Sequence, residues 1–123
     1  MKGNAMKWIT LIGDDKLTLQ RIKNMAHIGT IRAYDVETDR CCVEYNDGHI
    51  FYDFDNDLSD WQDDLEKLPF KAACCIMMVY TNAQNVRKEL LQPDFPQDIY
   101  VDNDHGTILP LKEYIAVGMP MDE

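Results

Sequence analysis

No stretch of this chain approaches the roughly 18–20 consecutive apolar residues that a membrane helix needs. The longest, Ala72 to Tyr80, is nine residues, so no membrane association is expected. The apolar patch Lys7-Trp8-Ile9-Thr10-Leu11-Ile12 is too short for a signal-peptide core. Gly13-Asp14-Asp15 follows it, where a secreted chain would carry small residues at a cleavage site. A cytoplasmic protein is expected. Serine occurs once, at Ser59, where a helix-capping role accounts for it, so nothing points to a serine nucleophile. No G-x-G-x-x-G or G-x-x-x-x-G-K-[ST] is present, and nucleotide binding has no motif behind it.

Cysteine is unusually placed. The four cysteines form two adjacent pairs, Cys41-Cys42 and Cys74-Cys75. Neighbours on a strand point to opposite faces, so neither pair readily holds one ion or bridges to itself. Ala72, Ala73, Ile76, Met77 and Met78 surround the second pair with apolar bulk, and free core thiols are expected. A reactive thiol needs an electropositive, partly exposed setting; the first pair lies in an acidic stretch and the second in the most apolar one. No C-x-x-C occurs, and His27, His49 and His105 lie far apart. Zinc is therefore not expected, and no cofactor is expected either.

What is present is an ordinary globular composition, 46% hydrophobic and 28% charged, over 123 residues. That is enough for one domain with one core, with residues 1–6 and 119–123 expected to fray. Lys7 to Gly13 reads as a strand. Asp14 or Asp15 is placed to cap a helix on which Leu19, Ile22 and Met25 recur at helical spacing, ending at His27-Ile28-Gly29. Three strands are expected over residues 30–36, 40–45 and 49–54. Between the last two, Asn46-Asp47-Gly48 supplies the turn chemistry of a tight hairpin, with Asp-Gly expected at positive φ. Ser59 with Gln62 predicts a capped helix to about Leu68, with Trp61 and Leu65 on one face and Pro69 stopping it. Ala72 to Tyr80 is apolar on both strand faces, as a covered central strand should be. Thr81 with Gln84 repeats the capping pattern before a helix lined by Val86, Leu90 and Leu91. Ile99–Val101 and Thr107–Leu109 flank a turn, and Pro110 opens a short last helix ending at Gly118. The order βαβββαβαββ, with a possible terminal helix, predicts an α+β fold. Its sheet is expected to be mixed and mainly antiparallel, with helices packed chiefly on one face.

Charge is the one compositional extreme. Twenty-two Asp and Glu stand against twelve Lys and Arg, for a net charge of −10. Residues 1–34 carry +4, residues 35–64 carry −10 and residues 65–123 carry −4. Asp53, Asp55, Asp57, Asp60, Asp63 and Asp64 crowd the end of a strand and the start of a helix. A helix N-terminus stabilises nearby carboxylates by about 0.3–1 kcal/mol each, and one helix end cannot offset six. The run Asp53-Phe54-Asp55-Asn56-Asp57 resembles the first half of a calcium loop. Leu58 then stands where glycine is needed and Asp64 where a bidentate Glu is needed, so no metal site is assigned. Carboxylate pairs suited to glycoside chemistry are too abundant to single any out. Phosphate contacts require clustered cations, so nucleic acid is not an expected partner.

These features point to a non-catalytic acidic protein-binding module, of the kind that inhibits or confers immunity against a basic enzyme. The acidic cluster is its docking surface, and Tyr45, Tyr52 and Trp61 are its aromatic anchors. The alternatives are a small enzyme or ligand-binding domain with a pocket beside the sheet, or a subunit of a larger assembly using Met119 and Met121 as contacts.

Overall fold

The computed structural model describes residues 7–55, 68–69 and 73–123. Among these the elements run β1 (Lys7–Gly13), α1 (Leu19–Lys23), β2 (Arg32–Glu37), β3 (Arg40–Tyr45), β4 (Gly48–Asp55), β5 (Cys74–Tyr80), α2 (Ala83–Leu90), β6 (Tyr100–Asp102), β7 (Ile108–Pro110) and α3 (Leu111–Ala116). The helix expected from Ser59 lies outside the described residues, apart from its last residue, Leu68, which sits in a bend. The fold is α+β.

The seven described strands form one sheet in the order β2-β3-β4-β5-β1-β6-β7. Every neighbouring pair is antiparallel, so the described sheet is not mixed as expected. The cause lies in the insertion of β1 between β5 and β6: both neighbours run against it, and no parallel crossover is needed.

Residues directly opposite across an antiparallel pair share a face. Tyr52 sits opposite both Cys41 and Met78, Ile9 opposite Met78, and Leu11 opposite Ile76 and Val101. These residues join Leu17, Ile22, Ala83, Val86, Leu90, Leu111 and Tyr114, from the described helices and the turn before α1, in one buried cluster. The opposite face carries Thr10, Ile12, Cys42, Cys75 and Val79, which are buried too. As expected of a central strand, β5 is buried on both sides; β1 beside it is the same. The described helices are short, at five, eight and six residues.

Local signals place the elements but not always their ends. The cap of α1 is Thr18, whose hydroxyl accepts from Arg21 N at 3.1 Å. Asp14 instead closes a turn, its carboxylate accepting from Lys16 N, and that turn buries Leu17. At α2 the cap is Asn82, accepting from Gln84 N, while Thr81 Oγ1 accepts from His49 N. Leu91, expected to line α2, follows it and is exposed.

The β3–β4 hairpin is as predicted, with Tyr45 opposite Gly48 across a two-residue turn. Asp47 is not at positive φ, and the reason for Gly48 lies elsewhere. A Cβ there would fall 2.7 Å from Thr81 Oγ1 and 2.8 Å from Asn85 Nδ2. Glycine lets the hairpin close on the start of α2.

Residues 119–123, expected to fray, are held. Tyr114 OH and Asn103 Nδ2 donate to the Pro120 carbonyl, Arg87 to the Met119 carbonyl, and Tyr80 OH to the Asp122 carbonyl at 2.7 Å. Met119 and Met121 pack against the core.

Candidate functional site

The sheet separates Asp53 and Asp55 from Tyr45 and Tyr52, two of the three aromatics expected to anchor a partner. Alternation along β4 sends Tyr52 and Phe54 to the core face and Phe51, Asp53 and Asp55 to the other. Tyr45 and Tyr52 are therefore interior residues, 5% and 0% exposed, and not surface anchors. Trp61, Asp57, Asp60, Asp63 and Asp64 lie outside the described residues.

On the face of Asp53, side chains of β2, β3 and β4 form cross-strand pairs. The Arg40 guanidinium engages both oxygens of Asp53, with Nη2 to Oδ2 at 2.8 Å, and lies 5.0 Å from the Phe51 ring centre. Arg32 stacks 4.6 Å from the Tyr34 ring and donates to Glu44 Oε1 at 3.1 Å, where Tyr34 OH also donates. His49 meets the Phe51 ring edge-on. These contacts draw Glu44 below its ordinary pKa, chiefly through the hydrogen bond from Arg32. Asp35 is paired with Lys23 at 2.8 Å. Part of the acidic field is thus bound by the protein's own cations, a pairing that the sequence reading did not anticipate. The strand that borders this face, β2, lies at the edge of the sheet, and all six of its residues are exposed. Tyr34 and Val36 are exposed hydrophobic residues on it, and Ile31 is another just before it.

A second group of polar residues lies inside the core. Glu89, fully buried on α2, accepts from Tyr45 OH on Oε2 at 2.9 Å and from Tyr52 OH on Oε1 at 2.7 Å. His27 Nδ1 is 2.8 Å from the same Oε1, and His27 Nε2 is 2.8 Å from the Ile22 carbonyl. Burial pushes both phenols well above their ordinary pKa, and Glu89 adds to the rise. Sequence reasoning missed this cluster. Its one legible trace is that Glu89 falls three residues after Val86 and four after Asn85, on the buried side of α2.

All four cysteines are free; Cys41, Cys42 and Cys75 are buried and Cys74 is half-buried. Burial raises Cys41 to about 11 and Cys75 to about 12, with nearby acids a smaller cause, so neither is poised for thiol chemistry. Among the described residues no group of His, Cys, Asp and Glu is arranged to hold a metal ion, and no helix is long and apolar enough to cross a membrane. His105 pairs with Asp122 at 3.0 Å. A shallow groove of about 360 Å³ is lined by Ile28, Lys88, Leu91, Gln92 and Pro93. Comparisons with family models, curated proteins and solved structures return no match.

Proposed function

We propose that this chain is a non-catalytic protein-binding module of the cytoplasm that docks a basic protein, in the manner of an inhibitor or immunity protein. Its helices serve as backing chiefly on one sheet face, and its contact surface is β2 with the adjoining outer side of β3 and β4. The observation that carries this reading is the edge strand. Six consecutive exposed residues present Tyr34 and Val36 among charges, beside a sheet border that can accept further contacts. The setting is acidic: between Thr30 and Asp55 seven Asp and Glu accompany two Arg. Asp53 keeps Arg40 in place within that surface, and Asp57, Asp60, Asp63 and Asp64 extend the negative stretch in sequence. A field of one sign steers an oppositely charged partner and raises its association rate by roughly 10–10³ at low salt.

The test is capture on immobilised protein at low and high salt, comparing the wild type with a Tyr34→Lys/Glu37→Lys variant. A basic protein should be retained at low salt and released near 0.5 M, where screening falls to roughly 5 Å. The variant should bind it at least about tenfold more weakly. Retention indifferent to both salt and substitution would overturn the reading.

A further inference from the structure

We propose that His27, Glu89, Tyr45 and Tyr52 form a protonation-dependent clasp, in which a doubly protonated imidazole holds the segment between α1 and β2 onto α2 and loss of one proton releases it. The inference does not depend on the binding surface above. It begins from hydrogen-bond direction. A neutral imidazole has one N–H and one bare lone pair. Here both ring nitrogens face acceptors at 2.8 Å, a Glu89 oxygen and the Ile22 carbonyl. Only the imidazolium donates to both, and a neutral ring must set a lone pair against one of them. Glu89 complements it, since two phenol O–H groups and the imidazole converge on its two oxygens in the arrangement of a carboxylate.

Several elements bring titratable groups to His27 and to its partner Glu89. From α2 and the turn after it come Glu89 and Asp94, which act on the ring itself; from β3 and β4 come Tyr45 and Tyr52, which reach Glu89, with Cys41 near Tyr52. From α1 comes Lys23, which is occupied by Asp35. Both tyrosines and Cys41 are shifted upward, away from neutral pH. For His27 itself burial works to lower the pKa. The Glu89 hydrogen bond and charge, the Ile22 carbonyl and Asp94 outweigh it, and the net displacement is upward from 6.5. A group raised on folding stabilises the folded state fully below its unfolded value and loses that contribution as pH climbs through the folded one. The clasp is therefore closed under mildly acidic conditions and weakens on the alkaline side of 6.5.

What it holds is specific. His27 adopts a left-handed φ of 49°, a conformation uncommon outside glycine. Beyond His27 the segment is tied by buried Met25 at its start, by Ile31 N to the Glu44 carbonyl at 2.7 Å at its end, and between them by Ala26 N to Asp94 Oδ2 at 2.9 Å and two long bonds of 3.3 and 3.4 Å between Ile28 and Gln92. Exposed Ile28 and Ile31 ride on this segment, which leads directly into β2.

Nuclear magnetic resonance of the full chain tests the clasp without any ligand. Below pH ~6.5 both His27 ring nitrogens should show the shifts of protonated nitrogen. As pH rises through the His27 titration, amide exchange at Ala26 and Ile28 should accelerate relative to Leu91 N, which bonds within its own helix end. The relative gain should be about tenfold for each unit separating the clasped and released pKa values. His27→Gln, which keeps donors but cannot titrate, should make the ratio flat. Should that variant not fold, the wild-type titration decides alone. A ring that is neutral below pH ~6.5, or an exchange ratio unchanged through the titration, would overturn the proposal.

Discussion

Glu89 shows how one residue can organise a core whose other members are mostly apolar. A buried charge is tolerated only when paired and hydrogen-bonded, and Glu89 has three partners drawn from three parts of the chain. Removing the hub is therefore expected to cost more than removing a spoke. Glu89→Leu leaves an imidazolium and two hydroxyls unmet and should lower stability by about 3–5 kcal/mol. Tyr52→Phe removes a single bond to a charged acceptor and should cost about 1.5–3 kcal/mol. Denaturant unfolding of both variants at pH ~6, with unchanged slopes, measures the difference. Equal losses would mean that the cluster does not act through Glu89.

At the scale of elements, turn chemistry was well written into the chain and capping less so. Asn46-Asp47-Gly48 announces a hairpin, and a hairpin forms there. Yet the glycine is needed because Thr81, Asn82 and Asn85 crowd its Cα, a contact between segments more than thirty residues apart. Thr81 Oγ1 is already committed to His49 N, and Asn85 is fully buried, so neither can yield without loss. Gly48→Ala should accordingly destabilise by about 1–3 kcal/mol, read as a fall in denaturation midpoint. A neutral result would show that the hairpin can lift from α2. The caps lie a few residues from where the sequence places them, for a simple reason. Several adjacent residues (Asp14, Asp15 and Thr18 at α1, Thr81 and Asn82 at α2) can all accept a backbone N–H. Burial of Leu17 and the bond from His49 N to Thr81 decide among them.

For the whole molecule, two features govern behaviour: a net charge of −10 and a closing segment that ties distant strands together. Arg87, Tyr80, Tyr114 and Asn103 all donate into residues 119–123. With roughly 1–3 kcal/mol lost for each buried donor left unmet, deletion of residues 119–123 should destabilise by several kcal/mol in thermal or denaturant unfolding. A truncated chain as stable as the full one would show those bonds to be idle.

The hydrophobic alternation of residues 40–54, the apolar run at 72–80 and the turn residues between them made strands, hairpins and an α+β fold legible in the sequence alone, because those signals act over a few neighbouring residues. The same alternation places Tyr45 and Tyr52 on strands without saying which face meets the core, so a role as surface anchors is as consistent with the sequence as the buried one they have. The charge count likewise located the acidic stretch but not the pairing of Asp53 with Arg40 or Asp35 with Lys23. Only the tertiary structure decided those matters, together with the position of β1 between β5 and β6 and the meeting of His27 with Glu89, 62 residues apart. Each is a long-range choice among locally equivalent arrangements, settled by which combination buries the apolar surface while leaving the buried polar groups of the Glu89 cluster with partners.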